Sequence, residues 1–232
     1  MLTTKTCLAV IPARGGSKGI PEKNIQLVGN KPLVCHAIDS VLNSGIQADV
    51  VVSTDSDKIY HIAQSHGGAY VLKRPSEISG DGAKTEDALI NALDQMKKLY
   101  GKKYDVVMTV QPTSPFRKSE TVSKFWEDFI ASIGEYDAML TLNETKTDYW
   151  KNENGRFSRL YPNAPRRRQD RKPLYIENSC LYVTTVDALR ETGSVLGNKV
   201  KGYLIDEREA LDINEPIDLI LANLLMKEHV VD

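Results

Sequence analysis

The chain has 232 residues, of which 41% are hydrophobic, enough for one large or two small domains with a buried core. Its 30 lysines and arginines nearly balance 31 acidic residues, and the resulting net charge of −1 argues against a general binder of nucleic acids or anionic membranes. Any recognition of an anion must therefore be local to one site.

Short apolar runs predict buried strands at residues 7–11, 49–54, 105–110, 137–142 and 179–185. Apolar residues with helical spacing lie between these runs, for example at residues 33–42 and 88–96. Strands and helices in alternation predict an α/β three-layer sandwich with a mostly parallel, twisted sheet. Ligands of such sheets bind at the carboxyl ends of the strands. The loops to inspect are therefore residues 12–24, 55–57, 74–84 and 111–117.

The alternation stops between Asn143 and Asn178, where no helix or strand pattern is evident. A connection of that length without a pattern is uncommon inside a compact domain. The segment is therefore either a functional insertion or an arm that binds a partner. We predict a single domain over residues 1–232 that carries an insertion at about 143–178.

The loop after the first predicted strand, ARGGSKGIPEKN at residues 13–24, combines glycines with positive charges. Glycines allow backbone N–H groups to approach an anion closely, and Arg14, Lys18 and Lys23 supply charge. The spacing matches neither the Walker A loop nor the dinucleotide-binding loop. The pattern indicates a phosphate site of another kind, with an ordinary solvated loop as the alternative.

This loop resembles the N-terminal signature of the CMP-sialic acid synthetases, or acylneuraminate cytidylyltransferases. Similar segments follow in the order of that family and cover nearly the whole chain: VVSTDSDKI at 51–59, RPSEISGDGAKTEDAL at 74–89, QPTSPFR at 111–117, RRQD at 167–170 and ALDINEPIDL at 210–219. The resemblance implies a fold like that of nucleotide-diphospho-sugar transferases. It also implies that the anomeric hydroxyl of a nine-carbon sugar acid attacks the α-phosphate of CTP, with release of pyrophosphate.

Such a reaction needs charge neutralisation and alignment more than a nucleophilic side chain. The resemblance implies Arg14, Lys23 and Asp212 as the catalytic residues. It assigns CTP binding to Arg14, Gly15, Gly16, Ser17, Lys18, Lys23, Asn24, Arg74 and Thr85. For Arg74 and Thr85, a loop arginine and a residue at a helix start are the plainer interpretations.

The sugar acid is expected to contact two segments. Gln111, Thr113 and Ser114 follow the central predicted strand and match the family's sugar-contacting loop, although a proline-rich turn is the alternative. In the basic run at 166–172, Arg168 aligns with the family's carboxylate-binding arginine and is followed by Gln169. Guanidinium groups bind carboxylates in a bidentate manner.

The basic run has two other interpretations, of which one stays open. Arg167 lies one position away from Arg168 and could be the carboxylate-binding residue instead. RNA binding is disfavoured because the chain lacks the aromatic platforms and the broad basic face that accompany it. The nearby stretch YIENSC at 175–180 is expected to influence the choice of sugar acid, with Glu177 and Asn178 facing the sugar.

The metal motif departs from the family pattern of two aspartates two residues apart, which are read as Mg²⁺ ligands. This chain has Asp212 and Asn214. We expect Asp212 and Asn214 to be the metal residues. The amide oxygen of Asn214 can still ligate Mg²⁺, directly or through water, but it brings no negative charge, so Mg²⁺ should depend mainly on Asp212 and the CTP phosphates. The triplet Asp55-Ser56-Asp57 resembles the D-x-D motif of glycosyltransferases, but it follows a predicted strand and opens a predicted helix, so helix capping is its expected role.

The sequence also bears on the cellular location of the protein and on its oligomeric state. Cys7, Cys35 and Cys180 are far apart and lack metal-ligand spacing, which favours reduced thiols in a cytosol. No apolar stretch approaches the roughly 20 residues of a membrane span, so we predict a cytoplasmic protein. The resembling family dimerises through its insertion, which implies a homodimer here.

The alternative functions are those of a CMP-Kdo synthetase, a sugar-phosphate nucleotidyltransferase, or a non-catalytic module in which Asn214 records lost metal binding.

Overall fold

The computed structural model describes residues 5–17 and 19–228. In chain order the strands are β1 (Cys7–Pro12), β2 (Leu27–Val28), β3 (Lys31–Pro32), β4 (Ala48–Thr54), β5 (Tyr70–Lys73), β6 (Val106–Val110), β7 (Ala138–Thr145), β8 (Trp150–Glu153), β9 (Arg156–Arg159), β10 (Leu174–Thr185) and β11 (Val200–Leu204). The helices are α1 (Leu33–Leu42), α2 (Asp57–His66), α3 (Thr85–Tyr100), α4 (Ser119–Ser132), α5 (Val186–Thr192) and α6 (Pro216–Glu228). Within the described ranges, no helix is long and apolar enough to cross a membrane.

Seven strands form one central sheet in the order β11-β7-β10-β6-β1-β4-β5. β10 pairs antiparallel with both β6 and β7, whereas the other neighbours in this sheet run parallel. The prediction of an α/β fold with a mostly parallel sheet is therefore confirmed. The five strands predicted from apolar runs correspond to β1, β4, β6, β7 and β10, and the structure adds β5 and β11.

Helices cover both faces of the sheet because its strands bury side chains alternately on each side. Along β1, Ala9 and Ile11 pack in one apolar cluster with residues of α1 and α4. Leu8 and Val10 point to the opposite face, where they pack with residues of α3 such as Leu89. The two segments with predicted helical spacing thus form α1 and lie within α3.

The segment 143–178 contains more regular structure than its sequence suggested. β7 continues to Thr145 and β10 begins at Leu174, and these two residues are paired across the strands. Between them, β8 and β9 form an antiparallel hairpin whose turn places Asn154 and Gly155 in the left-handed region, with φ of 52° and 85°. The pattern was undetectable because every residue of β8 is exposed, so the strand shows no alternation of apolar and polar residues.

The loops after β1, β4, β5 and β6 lie together at one edge of the sheet because these four strands run parallel. They are the four loops that the sequence singled out. The loop after β4 leads into α2, and Ser56 accepts a hydrogen bond from the backbone N–H of Ile59 at 3.4 Å. The expected helix cap is therefore present in the D-x-D-like triplet.

Candidate active site

A polar cleft of about 510 Å³ opens at the carboxyl edge of the sheet, between the loops after β1, β5 and β6 and the loop that precedes α6. Its position is the usual one for ligand sites in open α/β sheets. The sequence-predicted residues that line it are Arg14, Ser17, Lys23, Asn24, Arg74, Thr85, Gln111, Thr113, Asp212 and Asn214.

The loop after β1 is held in place by hydrogen bonds from two neighbouring segments. The backbone N–H of Gly15 donates to Asp55 Oδ1 at 2.8 Å, and Asn24 Nδ2 donates to the carbonyl of Arg14 at 2.9 Å. A Cβ atom at Gly15 would lie 2.9 Å from Ser56 Cβ, so only glycine permits this approach. Asn24, predicted to contact the nucleoside, is buried and its amide N–H group braces the loop.

Some predicted residues of this loop do not line the cleft. Gly15 and Gly16 shape the backbone without contributing to the lining, whereas Ser17 does contribute. Lys18 lies outside the described residues. No sequence signal singled out Asp55 as the acceptor for Gly15, because that contact joins two different strand ends.

Two arginines concentrate positive charge in the cleft. Arg14 Nη1 donates to the carbonyl of Gly80 at 3.1 Å and lies 3.3 Å from Asp81 Oδ1. Arg74 is buried, and its Nη2 donates to the carbonyl of Ser53 at 2.8 Å. Burial lowers the pKa of Arg74, the charge of Asp55 opposes that effect, and the nearby charge of Arg14 adds to it. Arginine nonetheless stays protonated in proteins, so both side chains are available to neutralise an anion.

Lys23 is connected to the predicted metal motif. Its Nζ donates to the carbonyl of Ile213 at 2.9 Å and to Asn214 Oδ1 at 3.1 Å. Asn214 Nδ2 in turn donates to Asp212 Oδ2 at 2.7 Å. Burial lowers the pKa of Lys23, while the charge of Asp212 raises it and that of Arg14 lowers it. The ammonium group is therefore fixed in place among charges of both signs.

The residues present fit a divalent cation only in part. Asp212 Oδ1 is buried and has no hydrogen-bond partner among the described residues, so it offers a free carboxylate oxygen. Asn214 turns its amide nitrogen toward Asp212 and its oxygen toward Lys23. In the described part of the chain, no three or more His, Cys, Asp or Glu residues are grouped to hold a metal ion. Substrate oxygens would have to complete the coordination of an Mg²⁺ ion.

The predicted sugar residues fall into two groups. Gln111 and Thr113 line the cleft, whereas Ser114 is buried and does not. Arg168 and Gln169 lie in a short 3-10 helix of the segment 143–178, where both are exposed and outside the lining of this cleft. Within a single chain, the structure therefore does not bring these two residues to the cleft.

The stretch YIENSC at 175–180, which lies within β10, also differs from expectation. Asn178 is buried and its Oδ1 accepts a hydrogen bond from Thr141 Oγ1 at 2.7 Å, so its side chain does not face the cleft. Neither Glu177 nor Asn178 belongs to the lining; Ser179 does. The cause is an irregularity in the pairing of β10 with β7 between Glu177 and Tyr182, which changes the residue that faces the site.

Arg117 is a buried residue whose role sequence reasoning did not assign. Its Nη1 donates to the carbonyls of Gln111 and Cys180, both at 3.0 Å, and its Nε donates to Ser40 Oγ at 3.0 Å. These bonds tie the turn after β6 to β10. The position of Gln111 in the cleft therefore depends on a side chain that does not itself line it.

Two solved structures have the same fold as this chain. The chain resembles CMP:2-keto-3-deoxy-manno-octonic acid synthetase complexed with CTP, with a TM-score of 0.70 at 18% identity over 97% of this chain and 99% of that one. It also resembles 4-diphosphocytidyl-2C-methyl-D-erythritol synthase from Anaerococcus prevotii, with a TM-score of 0.68 at 14% identity over 97% of each chain. The chain thus shares the fold of these two proteins.

Sequence comparison identifies the family of this chain. Residues 8–156 match the family model described as cytidylyltransferase. The chain is 31% identical to CMP-N,N'-diacetyllegionaminic acid synthase of Legionella pneumophila, over 95% of this chain and 96% of that protein. It is 29% identical to pseudaminic acid cytidylyltransferase of Campylobacter jejuni, over 95% of this chain and 96% of that protein. It is 30% identical to N-acylneuraminate cytidylyltransferase of Streptococcus agalactiae, over 92% of this chain and 51% of that protein. The chain belongs to the cytidylyltransferase family, as its motifs predicted.

Proposed function

We propose that this enzyme transfers CMP from CTP to the anomeric hydroxyl of a nonulosonic acid, a nine-carbon sugar acid, and releases pyrophosphate. The observation that carries the proposal is the cleft in which Arg14, Lys23 and Asp212 meet at the carboxyl edge of the sheet. The names of the relatives at about 30% identity support the choice of acid. The CMP-Kdo synthetase alternative is supported only by likeness of fold at 18% identity.

Catalysis in this proposal depends on electrostatic stabilisation by groups that are already in place. Arg14 and Lys23 neutralise the negative charge on the α-phosphate and on the departing pyrophosphate. Lys23 Nζ is oriented by the Ile213 carbonyl and Asn214 Oδ1, so it needs little reorganisation as charge develops. The anomeric hydroxyl and the phosphate are brought into line by the surrounding polar groups.

We also propose Mg²⁺ as a cofactor, held by Asp212 and the CTP phosphates. When bound, the ion would neutralise part of the charge on the triphosphate. The free oxygen of Asp212 supports this assignment, because a buried carboxylate oxygen without a hydrogen-bond donor suits a hard cation.

CTP is expected to be strongly preferred over UTP as the nucleotide substrate. The polar groups around Arg74 and Asn24 are buried, and a buried polar site left unpaired by the wrong base discriminates strongly. The preference would be tested by measuring kcat/KM for CTP and for UTP at a saturating concentration of one sugar acid. Equal values would mean that the cleft does not distinguish cytosine from uracil.

The segment 143–178 is proposed to form a homodimer interface and to close the partner's sugar site near Lys146. Its hairpin exposes large apolar side chains, with Trp150 54% and Phe157 69% accessible. Exposed apolar surface of this kind commonly marks an interface, and most soluble oligomers are symmetric dimers. In the dimer, Arg168 of one subunit would bind the sugar carboxylate at the other.

The three cysteines are buried and unpaired, which supports the proposed cytoplasmic location.

Trp150→Asp should weaken the dimer and lower activity together, because it places a charge in the proposed interface. Light scattering and kcat measured over a range of protein concentrations would follow both effects. Leu99→Asp is the matched control, since Leu99 is an equally exposed apolar residue (57%) at the end of α3. A wild-type protein that is fully active as a monomer at assay concentration would refute the interface.

Arg168→Lys should raise the KM for the sugar acid by about tenfold while the KM for CTP changes little, since lysine keeps the charge but loses the planar fork. Steady-state kinetics with each substrate varied in turn would measure the difference. Arg167→Lys is the control at the neighbouring position. If Arg167→Lys gives this pattern instead, the carboxylate site lies one residue away; if neither does, it lies elsewhere.

Pyrophosphate release tests the proposed function. The enzyme would be assayed with CTP, Mg²⁺ and a panel of N-acetylneuraminic, legionaminic and pseudaminic acids. The eight-carbon acid 2-keto-3-deoxy-manno-octonic acid serves as the comparison. We expect the highest kcat/KM with one of the nine-carbon acids. A higher value with the eight-carbon acid would favour the alternative enzyme, and release of no pyrophosphate with any acid would contradict both.

A further inference from the structure

Ser179 has an unfavourable backbone conformation at the edge of the cleft. Its φ is 59°, in the left-handed region that residues with a Cβ seldom occupy. It lies where the pairing between β10 and β7 is interrupted, between Glu177 and Tyr182. Backbone strain of this kind is concentrated at functional sites, where surrounding contacts maintain it. The strained residue is also one that lines the cleft.

The surrounding contacts fix this position relative to the proposed sugar site. The backbone N–H of Gln111 donates to the carbonyl of Cys180 at 3.4 Å, and Arg117 Nη1 donates to both the Gln111 and the Cys180 carbonyls. Ser179 therefore precedes a residue that is bonded directly to the turn carrying Gln111 and Thr113. Ser179, Gln111 and Thr113 line the cleft together with Asp212.

The hydroxyl group of Ser179 is oriented by its neighbours. The Tyr182 hydroxyl lies 2.5 Å from Glu177 Oε1 and 3.1 Å from Ser179 Oγ. A phenol has one proton, and Tyr182 donates it in the shorter hydrogen bond, to the Glu177 carboxylate. Burial and the hydrogen bond with Glu177 both raise the pKa of Tyr182, so the phenol stays protonated. The contact with Ser179 must then use the serine proton. The lone pairs of Ser179 Oγ are left as hydrogen-bond acceptors.

We propose that Ser179 is a specificity-determining residue for the sugar acid, its Oγ accepting a hydrogen bond from a hydroxyl or N-acyl N–H group of the acid. The inference rests on the proposed function and adds to it the chemical character of one subsite. An oxygen whose own proton is committed elsewhere attracts donors and repels a carboxylate, so the partner is a neutral N–H or O–H group. Acids that lack this donor should be poor substrates.

A matched pair of variants separates the hydroxyl from the backbone. Ser179→Ala removes the hydroxyl and retains the Cβ and its strain, whereas Ser179→Gly removes both. We expect both variants to raise the KM for the preferred sugar acid by about tenfold, as for the loss of one hydrogen bond, with the KM for CTP changed by less than about twofold. The melting temperature of Ser179→Gly should equal or exceed that of the wild type, which shows that folding is intact.

Deoxy and de-N-acyl analogues of the acid identify the donor. For the wild-type enzyme, one analogue should have a kcat/KM about tenfold lower than that of the complete acid. For Ser179→Ala, the same analogue and the complete acid should have equal kcat/KM values. An unchanged KM for the acid in both variants would overturn the inference. So would a defect in Ser179→Ala that Ser179→Gly restores, since the backbone would then be responsible. These outcomes require an active wild-type enzyme; a wild type inactive with every nonulosonic acid contradicts the proposed function itself and this inference with it.

Discussion

Replacing Lys23 with alanine is expected to lower kcat by about a hundredfold or more, in keeping with the loss of a preorganised charge at the reacting phosphate. The ammonium group is held at 2.9 Å from the Ile213 carbonyl and 3.1 Å from Asn214 Oδ1, so a water molecule would not replace it with the same charge or position. Steady-state kinetics with both substrates saturating would measure the change in kcat.

Lys58→Ala is the matched control for this variant. Lys58 lies in α2, is largely exposed, and pairs with Glu22, the residue next to Lys23. Its removal takes one positive charge from the same neighbourhood without altering the cleft lining, so kcat should stay near the wild-type value. A folded Lys23→Ala enzyme with near-wild-type turnover would show that the role given to Lys23 is wrong.

Asp212→Asn is expected to be nearly inactive, because it removes the carboxylate that would hold Mg²⁺ beside the triphosphate. Activity measured against Mg²⁺ concentration is the readout. Asn214→Asp is the informative partner variant, since the side chain of Asn214 lies 2.7 Å from Asp212 Oδ2. It should retain activity and reach half its maximal rate at a lower Mg²⁺ concentration. An unchanged or weaker dependence on Mg²⁺ would show that position 214 does not ligate the metal.

The parts of the site that were predictable from the sequence are those that follow directly from strand ends. The glycines and cations of residues 13–24 come straight after β1, and the turn carrying Gln111 comes straight after β6. Parallel strands bring such loops to one edge whatever the details of packing. The local pattern was therefore sufficient to place Arg14, Lys23 and Gln111 in one cleft.

The remaining features depend on contacts between distant segments, which a local pattern does not contain. Ser179 enters the cleft because β10 pairs irregularly with β7, and Arg117 secures Gln111 through the Cys180 carbonyl. Edge strand β11 was missed because it alternates exposed and half-buried residues and lacks an apolar run. Asn24 lines the cleft, and its hydrogen bond to the Arg14 carbonyl is a further contact that no local pattern indicated.

Transfer of CMP to the sugar acid is tested most directly by comparing the two products of one reaction. Purified enzyme would be incubated with CTP, Mg²⁺ and its preferred nonulosonic acid, and pyrophosphate and the CMP ester of the acid would be quantified together by mass spectrometry. We expect one CMP ester for each pyrophosphate, with both products falling in parallel in Lys23→Ala. Pyrophosphate formed without the ester, or neither product from the wild-type enzyme with every acid tested, would contradict the proposed transfer of CMP.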